Sequence, residues 1–291
     1  MHVLLTGATG RCGTHTLSQL IEAGHTVLAT DRTPPSTLPP GAEFMSADLT
    51  SLNDVDALFT QTFDGVIHLG AIPEPRPGLD DRALHANNVV SSYNVMRTAV
   101  DHGVDRIVQA SSVNAHGLSF APLGHTKFET FPITEEVERR PEDAYALSKH
   151  ECEIQADALV RWSPGTRIAS LRPHMVRDNY ATSYPDTQAC DIFSWVSYTA
   201  VARACVLGLT SEGWTGHEVF NIVAPEICWE GGVDDQFTKA GELPKDKVGT
   251  LELVSKYWPG VECDAAYWRD KPRRAVWDSS KAERMLGWWH E

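Results

Sequence analysis

The opening thirteen residues narrow most sharply what this chain can become. His2–Thr6 (HVLLT) is a short, continuously apolar run that leads into Thr6-Gly7-Ala8-Thr9-Gly10-Arg11-Cys12-Gly13. Apolar residues at helical spacing follow, Leu17, Leu20 and Ile21, and the pattern stops at Gly24. Strand, glycine-rich turn and helix in that order build a diphosphate-binding element. Gly7 permits the tight turn, Gly10 lets backbone approach a pyrophosphate, and Gly13 lets helix and strand pack closely. The free N–H groups and dipole of the helix N-terminus favour the anion.

The same alternation continues. Strand patterns fall at Thr26–Thr30, Phe44–Ala47, Val66–Leu69, Arg106–Ala110 and Arg167–Leu171. Helix patterns lie between them, through Leu52, Val55, Leu58 and Phe59, over Leu84–Val100, and from Glu142 or Asp143 to about Arg161. Continuously apolar strands separated by helices predict a parallel sheet covered on both faces, a doubly wound Rossmann-like α/β fold. Residues 1–171 are expected to form this dinucleotide-binding domain. From residue 172 the periodicity shortens, and all nine tryptophans lie at Trp162 or later. Residues 172–291 therefore read as a smaller substrate-binding lobe, interleaved with the sheet, whose tryptophans mainly fill core.

The charge balance limits the partners. Twenty-five Lys and Arg against 39 Asp and Glu give a net charge of −14, which repels phosphate backbones and anionic lipid. Nucleic-acid and membrane binding are not expected. No apolar run approaches the roughly 18 residues of a membrane helix, and Met1 leads directly into a strand, so a cytoplasmic protein is expected. The six cysteines are scattered without a Cys-x-x-Cys pair and the twelve histidines lack metal-ligand spacing. Free thiols and no metal site are the expectation.

Asp31 ends the second strand, where an acidic side chain accepts hydrogen bonds from an adenosine ribose and repels a 2′-phosphate. It favours NAD, while the adjacent Arg32 leaves NADP open. Asp48 and Leu49 follow the third strand and are placed to meet the adenine edge; a solvated loop aspartate is the alternative. Leu69, Gly70 and Ala71 end the fourth strand with the small residues that close backbone approach to a cofactor requires.

Tyr145-Ala-Leu-Ser-Lys149 is the second chemical signal. At i and i+4 on a helix the phenol and the ammonium share a face, and a nearby ammonium lowers a phenol's pKa from about 10. Ser111-Ser112 closes the fifth strand, at the sheet edge where open α/β folds bind ligands. A hydroxyl there can hold a substrate oxygen beside the tyrosine.

Together these segments resemble the extended short-chain dehydrogenase/reductase family, the NAD-dependent epimerase/dehydratase group. The similar stretches are TGATGRCG (6–13), Asp31, ADLT (47–50), VIHLGAI (66–72), NVVSSYNV (88–95), RIVQASS (106–112), YALSK (145–149), LRP (171–173) and DSSKAERMLGW (278–288). The resemblance implies a triad of Ser112, Tyr145 and Lys149, with Ser112 counted back from Gly117. Tyr145 would be the general acid/base, Lys149 would bind the nicotinamide ribose, and Ser112 would position a substrate oxygen. It adds Asn88 and Pro173 to the cofactor side, with a packing role for Asn88 equally open.

Asn114, His116, His174 and Arg177 are the remaining candidates for substrate contact. His116 stands where the family usually has tyrosine, and it reads equally as a substrate contact or a loop filler. An aspartate common in the family is missing from Trp195–Arg203, and the C-terminal lobe is short. VIHLGAI followed by SWVS is also similar to the uronate dehydrogenase branch. Three functions follow: an NAD(P)-dependent oxidoreductase acting on a secondary alcohol or hemiacetal of a sugar-like small molecule, a nucleotide-sugar epimerase/dehydratase with retained NAD, or a non-catalytic NAD(P)-binding regulator. By the resemblance, the two long helices near 83–102 and 143–161 pair across a two-fold axis into a homodimer's four-helix bundle.

Overall fold

A computed structural model describes residues 1–122, 125, 128–235 and 247–291. Seven parallel strands form the central sheet: β1 (His2–Thr6), β2 (Thr26–Asp31), β3 (Ala42–Ser46), β4 (Gly65–His68), β5 (Arg106–Ala110), β6 (Arg167–Pro173) and β7 (Gly216–Ile222). Their order across the sheet is β3-β2-β1-β4-β5-β6-β7. The chain winds outward from β1 to β3 and then returns to β4 on the other side of β1. The carboxyl ends of β1 and β4 therefore flank the point where the winding reverses, which opens a crevice.

Alternation along each strand fills two cores. Val3 and Leu5 point to one face and Leu4 to the other, all fully buried. Helix α1 (Arg11–Glu22) covers the first face together with α5 (Tyr198–Thr210) and α7 (Ser280–Leu286), while α2 (Leu52–Leu58), α3 (Asp81–Asp101) and α4 (Ala144–Trp162) cover the second. Each buried aliphatic side chain contributes about 1.5–3 kcal/mol, so the sheet and not local propensity holds the short helices. The long helices have built starts. The carboxylates of Asp80 and Asp143 accept backbone N–H groups at the entries of α3 and α4, a cap worth about 1 kcal/mol.

Residues 172–291 divide between two bodies of packing. α5, β7 and α7 complete the sheet and its first face. The rest, with the eight-residue helix α6 (Thr250–Tyr257), gathers around Phe131, Phe193, Trp229, Trp268 and Trp277 at the sheet's carboxyl edge. β7 is the strand that the pattern HEVFNI did not announce; its first four residues are only half buried, so its apolar run is too short to stand out. Six tryptophans are buried, whereas Trp162 and Trp289 lie largely in solvent. All six cysteines are free thiols. Among the described residues no helix is long and apolar enough to cross a membrane, and no group of His, Cys, Asp or Glu is arranged to hold a metal.

The turn after β1 is the tightest packing in the fold. Gly7 has φ +67°, and a side-chain carbon there would lie 2.7 Å from the backbone of Leu69 and Gly70. One on Gly13 would lie 2.1 Å from the Gly7 carbonyl oxygen. Neither neighbour is a side chain that can swing away, and overpacking of this kind costs about 1–3 kcal/mol or more. A Gly13→Ala variant is expected to lose at least that much in urea unfolding, and a wild-type midpoint would show the packing to be looser than described.

Candidate active site

The glycine loop stands over the crevice between β1 and β4. Gly10 caps α1 without any side-chain bond, which leaves the first N–H groups of a twelve-residue helix at Arg11, Cys12 and Gly13 facing outward. The absence of side chains at 7, 10 and 13 leaves a cradle that a diphosphate fits. Cys12 turns its thiol into the core below α1, and burial pushes it up to about 11. Only its backbone N–H is thus available to a ligand. Arg11 lies on the surface, with Nη1 3.4 Å from the Tyr198 hydroxyl.

Asp31 is held on the loop itself. Its Oδ2 accepts from Thr9 N at 3.1 Å and Thr9 Oγ1 at 2.7 Å, and its Oδ1 accepts from Arg32 N at 2.8 Å. The Arg32 side chain is exposed. Asp48 closes a turn instead, accepting from Thr50 N at 2.9 Å and Thr50 Oγ1 at 2.7 Å, and these bonds lower its pKa. Leu49 packs under Gly70, where a side-chain carbon would meet Leu49 Cδ1 at 2.6 Å. Leu69, Gly70 and Ala71 are half-buried at the β4 end.

Thr6 ties that end down. Its Oγ1 accepts from Gly70 N at 3.1 Å and shares a hydrogen bond of 2.8 Å with His68 Nδ1. Burial, and after it the Lys149 charge, pushes His68 down to about 3. Asn88 serves the frame as well. Its side chain accepts from Ile72 N at 2.8 Å and donates to Ile72 O at 3.0 Å, with Ser148 Oγ at 3.3 Å. Both polar atoms are therefore engaged by protein.

Tyr145 and Lys149 lie buried on α4 against the end of β5. Tyr145 lies beside Ser112, whose hydroxyl acts to lower the phenol's pKa, while Ser112 Oγ accepts from Asn114 N at 3.1 Å and starts the short 3₁₀ turn Val113–His116. Lys149 Nζ donates to Ala110 O at 2.8 Å and lies 5.8 Å from the centre of the Tyr145 ring. The two adjacent serines divide their work: Ser112 meets the phenol, and Ser111 Oγ donates to Glu153 Oε1 at 2.6 Å.

The ionisation balance differs from the sequence expectation of a depressed tyrosine. Burial pushes Tyr145 up to about 12 against the opposing pull of the Ser112 bond. Burial also lowers Lys149, with Cys152 and Glu153 resisting. The physical reason is that both groups sit in the interior and the ammonium is spent on a carbonyl, so desolvation outweighs their mutual influence. Tyr145 is consequently a proton donor at neutral pH.

The substrate-side candidates separate. Asn114 Oδ1 accepts from Ser119 N at 3.0 Å, at the foot of the lobe. His174 is buried beyond Pro173, its Nε2 2.5 Å from Asp191 O, and burial lowers its pKa. Arg177 is half-exposed, with Nε 3.7 Å from Asp186 Oδ2. Met175 between them has φ +40°, and Ile192 and Phe193 also have positive φ. Such backbone costs about 1–3 kcal/mol for bulky residues and is stored where surroundings over-determine it. His116 meets the same Trp277 ring as His174. Its Nε2 accepts from Arg172 Nη1 at 2.9 Å in an interior polar cluster, and burial with Arg172 pushes it down to about 3.

Two residues of that cluster escaped the sequence reading. Arg172, fully buried, makes a bidentate pair with Glu153 (Nε–Oε1 2.8 Å, Nη2–Oε2 2.7 Å). Arg139 adds 3.2 Å to Oε2. Burial works to raise Glu153, but Arg172, Ser111 and Arg139 together hold it below the usual range. Removing one partner of such a pair costs about 3–5 kcal/mol. The signal was available: Glu153 lies on the same helical face four residues beyond Lys149, and Arg172 stands within the LRP strand end.

The sequence pattern of the NAD dependent epimerase/dehydratase family matches residues 3–186, more than half of the chain, which belongs to that family. The UDP-glucose 4-epimerase of Pisum sativum is 26% identical over 186 residues, covering 58% of this chain and 51% of the pea protein. The enzyme of that name from Lactobacillus helveticus is 22% identical over 273 residues, covering 88% of this chain and 71% of its own. The chain thus spans about half the length of the pea relative. Among solved structures, a glucuronic acid dehydrogenase from Chromohalobacter salexigens superimposes with TM-score 0.66 at 22% identity, over 100% of this chain and 84% of that one. MoeE5 in complex with UDP-glucuronic acid and NAD gives TM-score 0.67 at 22% identity, over 100% and 94%. At this identity the likeness shows the fold.

The buried histidines set an acid limit on stability. His68 and His116 have folded pKa values of about 3 against an ordinary 6.5. The unfolded chain therefore binds more protons in the window between, and their contribution is present above pH 6.5 and lost as pH falls. Unfolding free energy is expected to decline from pH 6.5 to about 4.5, before carboxylates titrate. A His68→Asn variant should show a shallower decline; an unchanged slope would contradict the assignment.

Proposed function

We propose that the chain is an NAD-dependent oxidoreductase of the extended short-chain dehydrogenase type, transferring hydride at a secondary alcohol or hemiacetal carbon of a sugar-like substrate. The observation that carries this reading is the burial of Tyr145 beside Ser112, with Lys149 Nζ 5.8 Å from the centre of the same ring. The glycine cradle and α1 N-terminus fit the diphosphate, and Asp31 at the end of β2 favours NAD, with Arg32 leaving NADP as a second possibility. NAD, when bound, supplies the hydride acceptor.

The chain's own groups handle position and the proton. Ser112 Oγ orients the substrate oxygen. Tyr145, protonated at neutral pH, gives its hydroxyl proton to that oxygen in reduction; in oxidation the carbinol proton returns to it only after the phenol has ionised, which burial places on the alkaline side. Lys149 would hold the ribose, and its charge stabilises the phenolate that the step forms. His174 and Arg177, beyond Pro173, are the groups proposed to meet sugar hydroxyls or a carboxylate. The uronate and nucleotide-sugar enzymes among the structural neighbours support a sugar as substrate class.

Purified protein with NAD and a panel of uronates, aldoses and nucleotide sugars is expected to generate NADH. Tyr145→Phe should lower turnover about a hundredfold or more while folding and dinucleotide binding persist; full activity in that variant would refute the role. The names of the curated relatives favour one second reading, an epimerase that retains NAD. That alternative requires nucleotide released on denaturation and no net NADH. Retention of both Tyr145 and Lys149 speaks against a purely regulatory protein.

A homodimer through α3 and α4 is part of the proposal. The two helices pack on each other and leave Val90, Tyr93, Leu147, Ile154 and Trp162 exposed, an apolar face suited to a four-helix bundle. Light scattering should give a dimer, and Ile154→Glu should give a monomer. A wild-type monomer would contradict this part.

A further inference from the structure

We propose that Glu153 is the positioning residue of the site, the buried carboxylate that locks Ser111, Arg172 and Arg139 onto the turn of α4 that follows Lys149. The assignment rests on the reading of Ser112, Tyr145 and Lys149 as the reacting groups and extends it to how they are held.

The geometry is that of a knot with four threads. Glu153 accepts from Ser111 Oγ (2.6 Å), Arg172 Nε and Nη2 (2.8 and 2.7 Å) and Arg139 Nη1 (3.2 Å). Each donor is next to a group the site needs. Ser111 is the chain neighbour of Ser112, and Arg172 immediately precedes Pro173 at the end of β6. Arg139 comes from the segment that leads into the Asp143 cap of α4. Glu153 follows Lys149 by one helical turn and Tyr145 by two, on the same face. A slide or rotation of α4 that drew Tyr145 away from Ser112 would have to break charge-assisted bonds in the interior, where their loss is uncompensated.

The same carboxylate also helps to keep the charge on Lys149 against burial, the largest influence on it. The titratable groups facing that ammonium are Tyr145 beside it, Cys152 on the next turn, His68 from β4 and Glu153. Burial keeps the first two protonated and uncharged, and keeps His68 neutral. Glu153 is thus the anion among them. It opposes the desolvation that drives Lys149 toward its neutral form.

The test is Glu153→Gln in the full chain, read by lysine side-chain NMR with Lys149→Met to assign the resonance. Lys149 is expected to lose its proton at lower pH than in the wild type. With the substrate found above, kcat should fall about tenfold or more with its alkaline limb moved to lower pH, while KM stays within about threefold. Should Glu153→Gln fail to fold, the double variant Glu153→Leu/Arg172→Leu removes both charges, and the same lowered titration is expected of it. An unchanged Lys149 titration in a folded variant overturns the proposal, as does a wild-type kcat and pH profile. Full activity of Tyr145→Phe would instead remove the reading of the reacting groups while leaving the Lys149 titration as an independent result.

Discussion

The whole arrangement depends on backbone meeting backbone where β1 turns into α1. With no side chain on Gly7 or Gly13, the loop settles onto the Leu69–Gly70 peptide and onto its own first turn at distances that a methyl group would prevent. That contact joins the two strand ends at which the winding of the sheet reverses. The crevice is therefore a product of the fold's topology and of missing atoms, before any polar side chain contributes. Thr6 then fastens the seam with one hydroxyl, bonded to Gly70 and His68.

Across the crevice a different physics operates. Tyr145, Lys149, Ser112, Glu153 and Arg172 are almost wholly removed from solvent, so each charge is tolerable only because another group answers it. The result is stiffness: a helix, two strand ends and a loop share one carboxylate. Enzyme sites in which geometry matters to fractions of an ångström need such support around the groups that react. The polar cluster is also where the chain accepts disadvantage. Among the described residues the Trp277 Nε1 donor in it is buried without a partner.

Much of this was legible in residue order. The strand–glycine–helix element and the alternation to Ala110 follow from local rules, and the element positions agree to within a few residues. That Tyr145, Lys149 and Ser112 come together was legible because their spacing has a physical meaning on a helix and at a strand end. What stayed hidden depends on distant pairing. β7 is recognised only by its neighbour β6, and its half-buried first residues leave the apolar run HEVFNI too short. The partners that His116 and Asn88 take, Arg172 and the Ile72 backbone, likewise lie far off in the chain or on another element. The direction of the Tyr145 shift also depends on burial, a quantity that spacing does not contain.

The Thr9–Asp31 bridge has a consequence for recognition at the adenosine end. The carboxylate already accepts from a hydroxyl and two amides, with Oδ2 taken twice by Thr9 and Oδ1 once by Arg32 N. On the proposed reading an arriving ribose hydroxyl would meet the remaining lone pair of Oδ1, on a carboxylate whose orientation the loop has already set. Selectivity at this position then resides in what is refused, a second anion, more than in what is gained.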